Sequence, residues 1–316
     1  MSKYKIAFVG MGSIGKRHLN NVCSYLEDQG HTYNVDLYRS SIDNKLSHDI
    51  MEKVCGEFDI SKGVPSNKFY DAVFITNPTS LHYETIKTFL KYTKSMFIEK
   101  PVFDNTEVDI MSLGDLSKTI CYVACPLRYN AVIDYVKRNI SYKKAYSVRA
   151  ISSSYLPEWR PEIDYRTCYS AHKNMGGGVG IDLIHEWDYI TWLFGKPVTG
   201  FSIQNKLSDL EIDSDDIAIY IAKTDKTAIE IHLDYFGRKN IRKLQMFMPD
   251  DTIECDIIAG TIYFQRSGKY IEVESDRNSY QMNEIKHFFD IIDGRCENDS
   301  TVQGALSVLR YARGEF

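Results

Sequence analysis

The chain has 316 residues, 43% apolar and 26% charged, enough material for two compact domains with sizeable cores. Its formal net charge is −5 and no block of Lys or Arg stands out, which argues against nucleic acid as the main partner. Seven scattered cysteines without a C-x-x-C pair argue against a disulfide framework or a structural zinc site, and no apolar run reaches the length of a membrane span.

MSKYKIAFVG enters a strand pattern directly, so the expectation is a cytoplasmic protein without a signal peptide. Up to residue 125, apolar runs at 5–10, 35–38, 71–76, 95–100 and 120–125 alternate with helical spacing at 13–28, 43–55, 80–92 and 105–117. Such alternation, with near-continuous apolar strands, predicts an α/β Rossmann domain over 1–125: a doubly wound parallel sheet covered on both faces. Beyond it the pattern changes. Helices are expected at 130–139 and 179–194, then strands of period two at 216–222, 227–235, 243–248, 253–259, 261–265 and 270–275, then helices at 279–292 and 301–313. This predicts an α+β domain over 126–316 with a half-buried, mostly antiparallel sheet.

Gly10-Met11-Gly12-Ser13-Ile14-Gly15 follows the first strand and opens a helix. Gly10 permits the tight turn, Gly12 lets a pyrophosphate approach the backbone, and Gly15 lets helix and strand pack closely. Ser13 and Ile14 begin the helix whose N-terminus faces the anion. The strand–turn–helix context favours dinucleotide binding over a ligand-free glycine turn. The second strand leaves through Arg39-Ser40-Ser41. A guanidinium followed by hydroxyls suits a 2′-phosphate, so NADP is favoured over NAD, with a solvated arginine as the alternative. Asp36 has the spacing of a ribose-binding acid but lies inside the apolar run. The backbone at Asn77-Pro78 could line the cofactor after the fourth strand. Glu99-Lys100-Pro101 ends the fifth strand, where ligands of open α/β sheets bind, and the proline suits a strained or cis turn. Lys100 could position and polarise a substrate hydroxyl; the alternative is a surface lysine at a strand end.

On a helix over 182–193, Asp182, His185, Glu186 and Tyr189 fall within about 100° of one another, opposite Leu183, Ile184, Trp187 and Ile190. A buried histidine–carboxylate pair would fix the ring tautomer and make a useful base. A structural histidine satisfied by a carboxylate is the alternative, while Glu186 and Asp188 are expected to cap, pair or face water. A metal site is disfavoured because Tyr189 stands four residues after His185, where H-E-x-x-H needs a second histidine. Arg128 and Tyr129 could touch ligand or serve a hinge. The loop 155–173 carries Tyr155, Trp159, Arg160, Tyr165, Arg166, Tyr169 and Lys173, which suit a sugar bearing phosphate, nucleotide or carboxylate. Its acids Glu158, Glu162 and Asp164 leave open a structural loop of cancelling charges. His232 reads as the outward face of a strand and His18 as a packing residue.

Together, KIAFVGMGSIG (5–15), TNPTSLH (76–82), EKP (99–101), LRYN (127–130) and GGGVGIDLIHEWDYITWLFG (176–195) resemble the Gfo/Idh/MocA family of nicotinamide oxidoreductases along essentially the whole chain. The stretch 154–179 is similar to a branch linked to surface-polysaccharide and sialic-acid-like sugar pathways. The resemblance implies a Rossmann domain, a C-terminal domain with a large open sheet, and a homo-oligomer formed through that sheet. It implies that Lys100 is the active-site lysine and His185 the substrate-side histidine working with an acid. Many members carry that acid four residues before the histidine. Here that place is Ile181, and Asp182 lies three before. The expected activity is hydride transfer between NAD(P) and a carbinol or keto carbon of a sugar or nucleotide-sugar-like substrate. The alternatives are a cyclitol dehydrogenase and a catalytically silent dinucleotide-binding sensor.

Overall fold

The computed structural model describes residues 3–40, 45–274 and 276–316. Packing divides the chain into two compact units, one of Met1–Ala124 with Gln281–Leu306 and one of Cys125–Tyr280 with Ser307–Phe316.

The first unit holds strands β1 (Lys3–Val9), β2 (Thr32–Arg39), β3 (Gly56–Asp59), β4 (Ala72–Ile75), β5 (Ser95–Ile98) and β6 (Ile120–Val123). They form one sheet in the order β3-β2-β1-β4-β5-β6, with every neighbouring pair parallel. The order reverses between β1 and β4, which is the switch point where doubly wound sheets open a ligand crevice. Helices α1 (Ser13–Asp28), α2 (His48–Met51) and α3 (His82–Phe89) connect the strands. A column of aromatic rings fills the core. Phe8 stacks on Phe74 at 4.7 Å, Phe74 on Phe97 at 5.2 Å, and Phe288 meets both Phe74 and Phe97 edge-on. The 105–117 stretch departs from expectation. It forms 3₁₀ turns at Ile110–Leu113 and Leu116–Lys118, each opened by an aspartate, Asp109 or Asp115, that accepts the backbone N–H two residues on. Of the helix expected over 43–55 only α2 forms among the described residues.

The second unit is built on eight strands: β7 (Ser147–Tyr155), β8 (Thr199–Asn205), β9 (Ile217–Lys223), β10 (Ala228–Asp234), β11 (Phe236–Phe247), β12 (Thr252–Asp256), β13 (Thr261–Phe264) and β14 (Tyr270–Glu272). Their order is β14-β13-β12-β11-β7-β10-β9-β8, and β7–β10 is the parallel pair in an otherwise antiparallel ladder. Helices α4 (Ala131–Asn139), α5 (Val179–Asp182) and α6 (His185–Phe194) belong to this unit. The division between units falls within α7 (Arg277–Ile292) and α8 (Val302–Ala312). Trp187 of α6 is fully buried edge-on against Tyr220 of β9, and Glu186 is ion-paired at 2.7 Å to Arg242 of β11. These contacts pin α6 to the sheet. No helix among the described residues is long and apolar enough to cross a membrane.

Replacing the fully buried Phe74 by Ala removes the middle ring of the aromatic column, so urea denaturation should show a loss of about 3–5 kcal/mol with the m-value retained.

Candidate active site

The glycine loop has the geometry that its residues dictate. Gly10 has φ +88°, and a Cβ there would lie 2.7 Å from the Asn77 Cα, so the loop after β1 presses on the exit of β4. A Cβ on Gly15 would lie 2.8 Å from both the Gly10 carbonyl oxygen and Thr76 Oγ1, whereas one on Gly12 would meet nothing within 4 Å. The closed glycines thus hold the turn and the open one leaves the backbone approachable. Gly12 caps α1, and the exposed Ser13 is its first residue. A dinucleotide pyrophosphate fits this cradle of exposed backbone at a helix N-terminus.

The exit of β4 is fixed from below. Thr76 Oγ1 donates to the carbonyls of Val9 and Gly10, and Asn77 Nδ2 donates to Thr85 Oγ1 at 2.8 Å. Buried His82 lies between the carbonyl oxygens of Asn77 (3.1 Å) and Val102 (3.2 Å), and burial holds its pKa below the ordinary value. The ring thus lies between the turn after β4 and the segment after β5, and in its neutral form donates to one of the two carbonyls. Pro78 is exposed beside it.

At the end of β5, Glu99 does something the sequence reading did not anticipate. Its Oε1 meets Nε2 of the buried His18 at 2.5 Å, and its Oε2 accepts the Lys100 backbone N–H at 3.2 Å. Burial pushes the Glu99 carboxyl up, but the His18 hydrogen bond and charge and the Lys100 charge outweigh it, and the net pKa lies below its ordinary value. Glu99, expected on the cofactor, is thus committed in part to α1. Lys100 is half-buried, and the Lys100–Pro101 bond is cis.

At the end of β2, Arg39 Nε donates to Glu57 of β3 and Ser40 is exposed. Ser41 lies outside the described residues. Asp36 faces inward: its Oδ2 accepts from Tyr70 Oη (2.8 Å) and Lys68 Nζ (2.6 Å), which accounts for its place in the apolar run.

In the second unit the helix expected over 182–193 is interrupted. α5 ends at Asp182, Leu183 takes φ −97° and ψ 29°, and α6 begins at His185. Asp182 and His185 therefore lie on successive helices, and a single helical projection does not relate them. Asp182 is 6% exposed, and its two oxygens accept the hydroxyls of Tyr169 and Tyr235, each at 2.5 Å. Burial, followed by the nearby Asp182 charge, raises both tyrosines above their ordinary range and keeps them proton donors. A Cβ on Gly177 would lie 2.2 Å from the Tyr169 carbonyl oxygen, so the glycine run lets the Tyr169 segment close against α5.

The remaining candidates divide. Arg166 is held by Asp164 and Glu211, and Tyr165 Oη accepts the Glu211 backbone N–H at 3.2 Å, so these two build the loop. Arg160 and Lys173 are exposed, and the Lys173 backbone N–H donates to Asp213 at 2.7 Å. Tyr129 is half-buried in a 3₁₀ turn, and its neighbour Arg128 forms a two-pronged pair with Asp188 at 2.9 and 2.6 Å. His232 Nε2 donates to Asp234 Oδ2 at 2.9 Å. Among the described residues no group of three or more His, Cys, Asp or Glu could hold a metal ion.

Comparison with known proteins agrees with this geometry. Residues 4–117 match the model of the oxidoreductase family with an NAD-binding Rossmann fold, GFO_IDH_MocA. The uncharacterized oxidoreductase YrbE of Bacillus subtilis (strain 168) is 23% identical over 96% of this chain and 91% of its own. The fold is shared with UDP-N-acetylglucosamine 3-dehydrogenase GnnA from Acidithiobacillus ferrooxidans (TM-score 0.76, 18% identity, 99% of this chain and 96% of that one). It is shared equally with scyllo-inositol dehydrogenase from Lactobacillus casei, solved with NAD(H) and scyllo-inositol (TM-score 0.76, 18% identity, 98% and 95%).

The buried pair makes a prediction about stability. Glu99→Gln should cost about 3 kcal/mol near neutral pH, since it leaves a buried partner uncompensated. Because the folded carboxyl is held below its ordinary value, this stabilisation is complete above that value and lost as pH falls through the folded pKa. Wild type and variant should therefore converge in denaturation midpoints at acid pH; a gap independent of pH would rule out an ionised Glu99.

Proposed function

We propose, from the premise that the chain belongs to the Gfo/Idh/MocA family of oxidoreductases, that it is an NAD(P)-dependent dehydrogenase or reductase of a sugar or nucleotide sugar. The observation that carries this reading is Lys100, half-buried at the carboxyl end of β5, in the same unit as an approachable glycine loop at the switch point of the sheet. The bound dinucleotide would supply the hydride donor or acceptor at its nicotinamide. Gly10, Gly12, Ser13, Ile14 and Gly15 would hold its pyrophosphate, with the backbone at Asn77 and Pro78 along its side. Glu99 acts from below by fixing the segment that carries Lys100.

Lys100 would position the reacting hydroxyl, and His185 would take or return its proton as the carbon changes between carbinol and carbonyl. Asp182 completes this group in the proposal. Its bonds to Tyr169 and Tyr235 support a role in holding the chain just before His185, alongside the expected orienting role. Two relatives in fold, one named for UDP-N-acetylglucosamine and one for scyllo-inositol, support a substrate among nucleotide sugars and cyclitols. The cationic loop residues Arg160 and Lys173 favour the nucleotide sugar. A homo-oligomer through the second sheet is part of the proposal, supported by the exposed Phe201, Ile203 and Ile221 on β8 and β9. A cytoplasmic setting is supported by seven free cysteines.

The preference for NADP rests on Arg39 and Ser40. Glu57 already occupies the guanidinium, so a 2′-phosphate competes with a carboxylate. Glu57→Gln should raise NADPH affinity about tenfold, the worth of a hydrogen bond to a charged group, and leave NADH within about twofold in a fluorescence titration. Equal NADPH affinity in both proteins would remove Arg39 from phosphate recognition.

Lys100→Met tests the catalytic assignment. Turnover, followed by reduced-nicotinamide absorbance over a panel of sugars, nucleotide sugars and cyclitols, should fall by at least about a thousandfold with cofactor affinity retained. Full activity in the variant would refute it.

A further inference from the structure

The chain leaves α7 through a glycine turn that folds it back on the helix. Gly294 takes φ +71°, its N–H donates to the Ile291 carbonyl (3.0 Å), and the Arg295 N–H donates to the Asp290 carbonyl (2.8 Å). This is the paired closure by which a left-handed glycine ends a helix and satisfies its last carbonyls. The loop that follows is stitched to β6. Asn298 Nδ2 donates to the Cys121 carbonyl (2.9 Å), Ser300 Oγ to the Val123 carbonyl (2.7 Å), and the Val123 N–H to the Ser300 carbonyl (2.8 Å). Residues 281–306 and β6 belong to the first unit. The loop therefore holds a fixed course beside the last two turns of α7, where His287 sits.

Two side chains of this loop meet the two ring nitrogens of His287. Asp299 Oδ1 lies 3.1 Å from Nε2, and Cys296 Sγ lies 3.8 Å from Nδ1. Together these contacts fix the tautomer. A carboxylate only accepts, so Nε2 carries the proton, which leaves Nδ1 with a lone pair facing the thiol. The result is a nucleophile, a base and a third group that orients the base, each within reach of the next. Burial and the carboxylates of Asp290 and Asp299 push the Cys296 thiol up and outweigh the Arg295 guanidinium, which pulls it down. The resting sulfur is thus protonated and needs a base at the moment it attacks. Access also sets this cysteine apart: Cys23, Cys121, Cys125 and Cys255 are buried, whereas Cys296 and His287 are half-buried and Asp299 is exposed.

We infer that Cys296 is a modification site for low-molecular-weight disulfides, with His287 as its base and Asp299 as the residue that positions the ring. Sγ attacks one sulfur of the disulfide as its proton passes to His287 Nδ1, and the imidazolium so formed lies against the Asp299 carboxylate. The S–S bond breaks, the other sulfur leaves as a thiolate, and that thiolate takes the proton back from Nδ1. The products are a mixed disulfide on Cys296 and one free thiol. The protein sulfur is oxidised, the leaving sulfur is reduced, and the disulfide itself is the oxidant. The inference does not rest on the proposed function, and it gives a role to three residues which that function leaves unused.

The test is timed reaction of the reduced full-length protein with glutathione disulfide near neutral pH, quenched with acid and read at each cysteine by peptide mass spectrometry. Cys55, which is exposed, serves as the internal reference. Cys296 should be modified faster than Cys55. His287→Gln should slow Cys296 by about a hundredfold, the worth of a positioned base, and leave the Cys55 rate and the thermal midpoint unchanged. Asp299→Asn should give a smaller loss, and Asp299→Glu, which keeps the carboxylate, should recover most of it, a pattern that a merely structural aspartate would not produce. If His287→Gln does not fold, the two Asp299 variants carry the test, because that side chain is exposed on the loop. Cys296 modified no faster than Cys55 in wild type overturns the inference. So does a folded His287→Gln, or an Asp299→Asn, whose Cys296 reacts as fast as that of wild type.

Discussion

The arrangement in the first unit depends on one buried hydrogen-bonded pair. His18 lies in the second turn of α1 and Glu99 lies at the end of β5, so their 2.5 Å contact fastens the helix that begins at the glycine loop to the strand that delivers Lys100. The His18 ring packs against Phe74 and Phe97 in the core, and Glu99 also accepts the Lys100 backbone N–H. The cost of burying a carboxylate is offset only while its partner is in place. The glycine loop and the strand end that carries Lys100 are thereby fastened to each other.

The second unit solves the same problem with neutral donors. Asp182 is held by two tyrosine hydroxyls, one from the loop before α5 and one from the strand end after β10. The two hydroxyls each give one of its oxygens a donor, and the residues around it become ordered by it. Asp234, next to Tyr235, likewise collects backbone and side-chain donors at the start of β11, with His232 among them. Asp182 gathers side chains, whereas Asp234 gathers backbone N–H groups together with Ser153.

Much of this was legible in the sequence. The buried strands β1, β4, β5 and β6 announce themselves because parallel strands covered on both faces are apolar throughout, and Gly10, Gly12 and Gly15 carry their reasons in their spacing. What escaped has physical causes. β3 reads GEFD, and β8 reads TGFSIQN with alternate residues exposed, so neither has an apolar run. β7 carries three serines before its last residue, Tyr155, and gains its strand character from partners on both sides. The break between α5 and α6 has no proline or glycine to mark it; it falls at Leu183 and Ile184 inside a helical pattern. The partners of Asp182 and Glu99 are 53 and 81 residues away for Tyr235 and His18, and no local pattern encodes such pairs.

The central claim is that this framework moves a hydride between a dinucleotide and the carbon of a sugar-like alcohol. The most direct measurement follows the atom itself: nucleotide sugars, sugars and cyclitols deuterated at the carbinol carbons, incubated with the protein and oxidised cofactor, and the nicotinamide then examined by mass spectrometry. The account predicts deuterium on the reduced nicotinamide ring, with a nucleotide sugar the best donor and none transferred by Lys100→Met. A protein that binds the dinucleotide yet transfers no deuterium from any of these alcohols would contradict it.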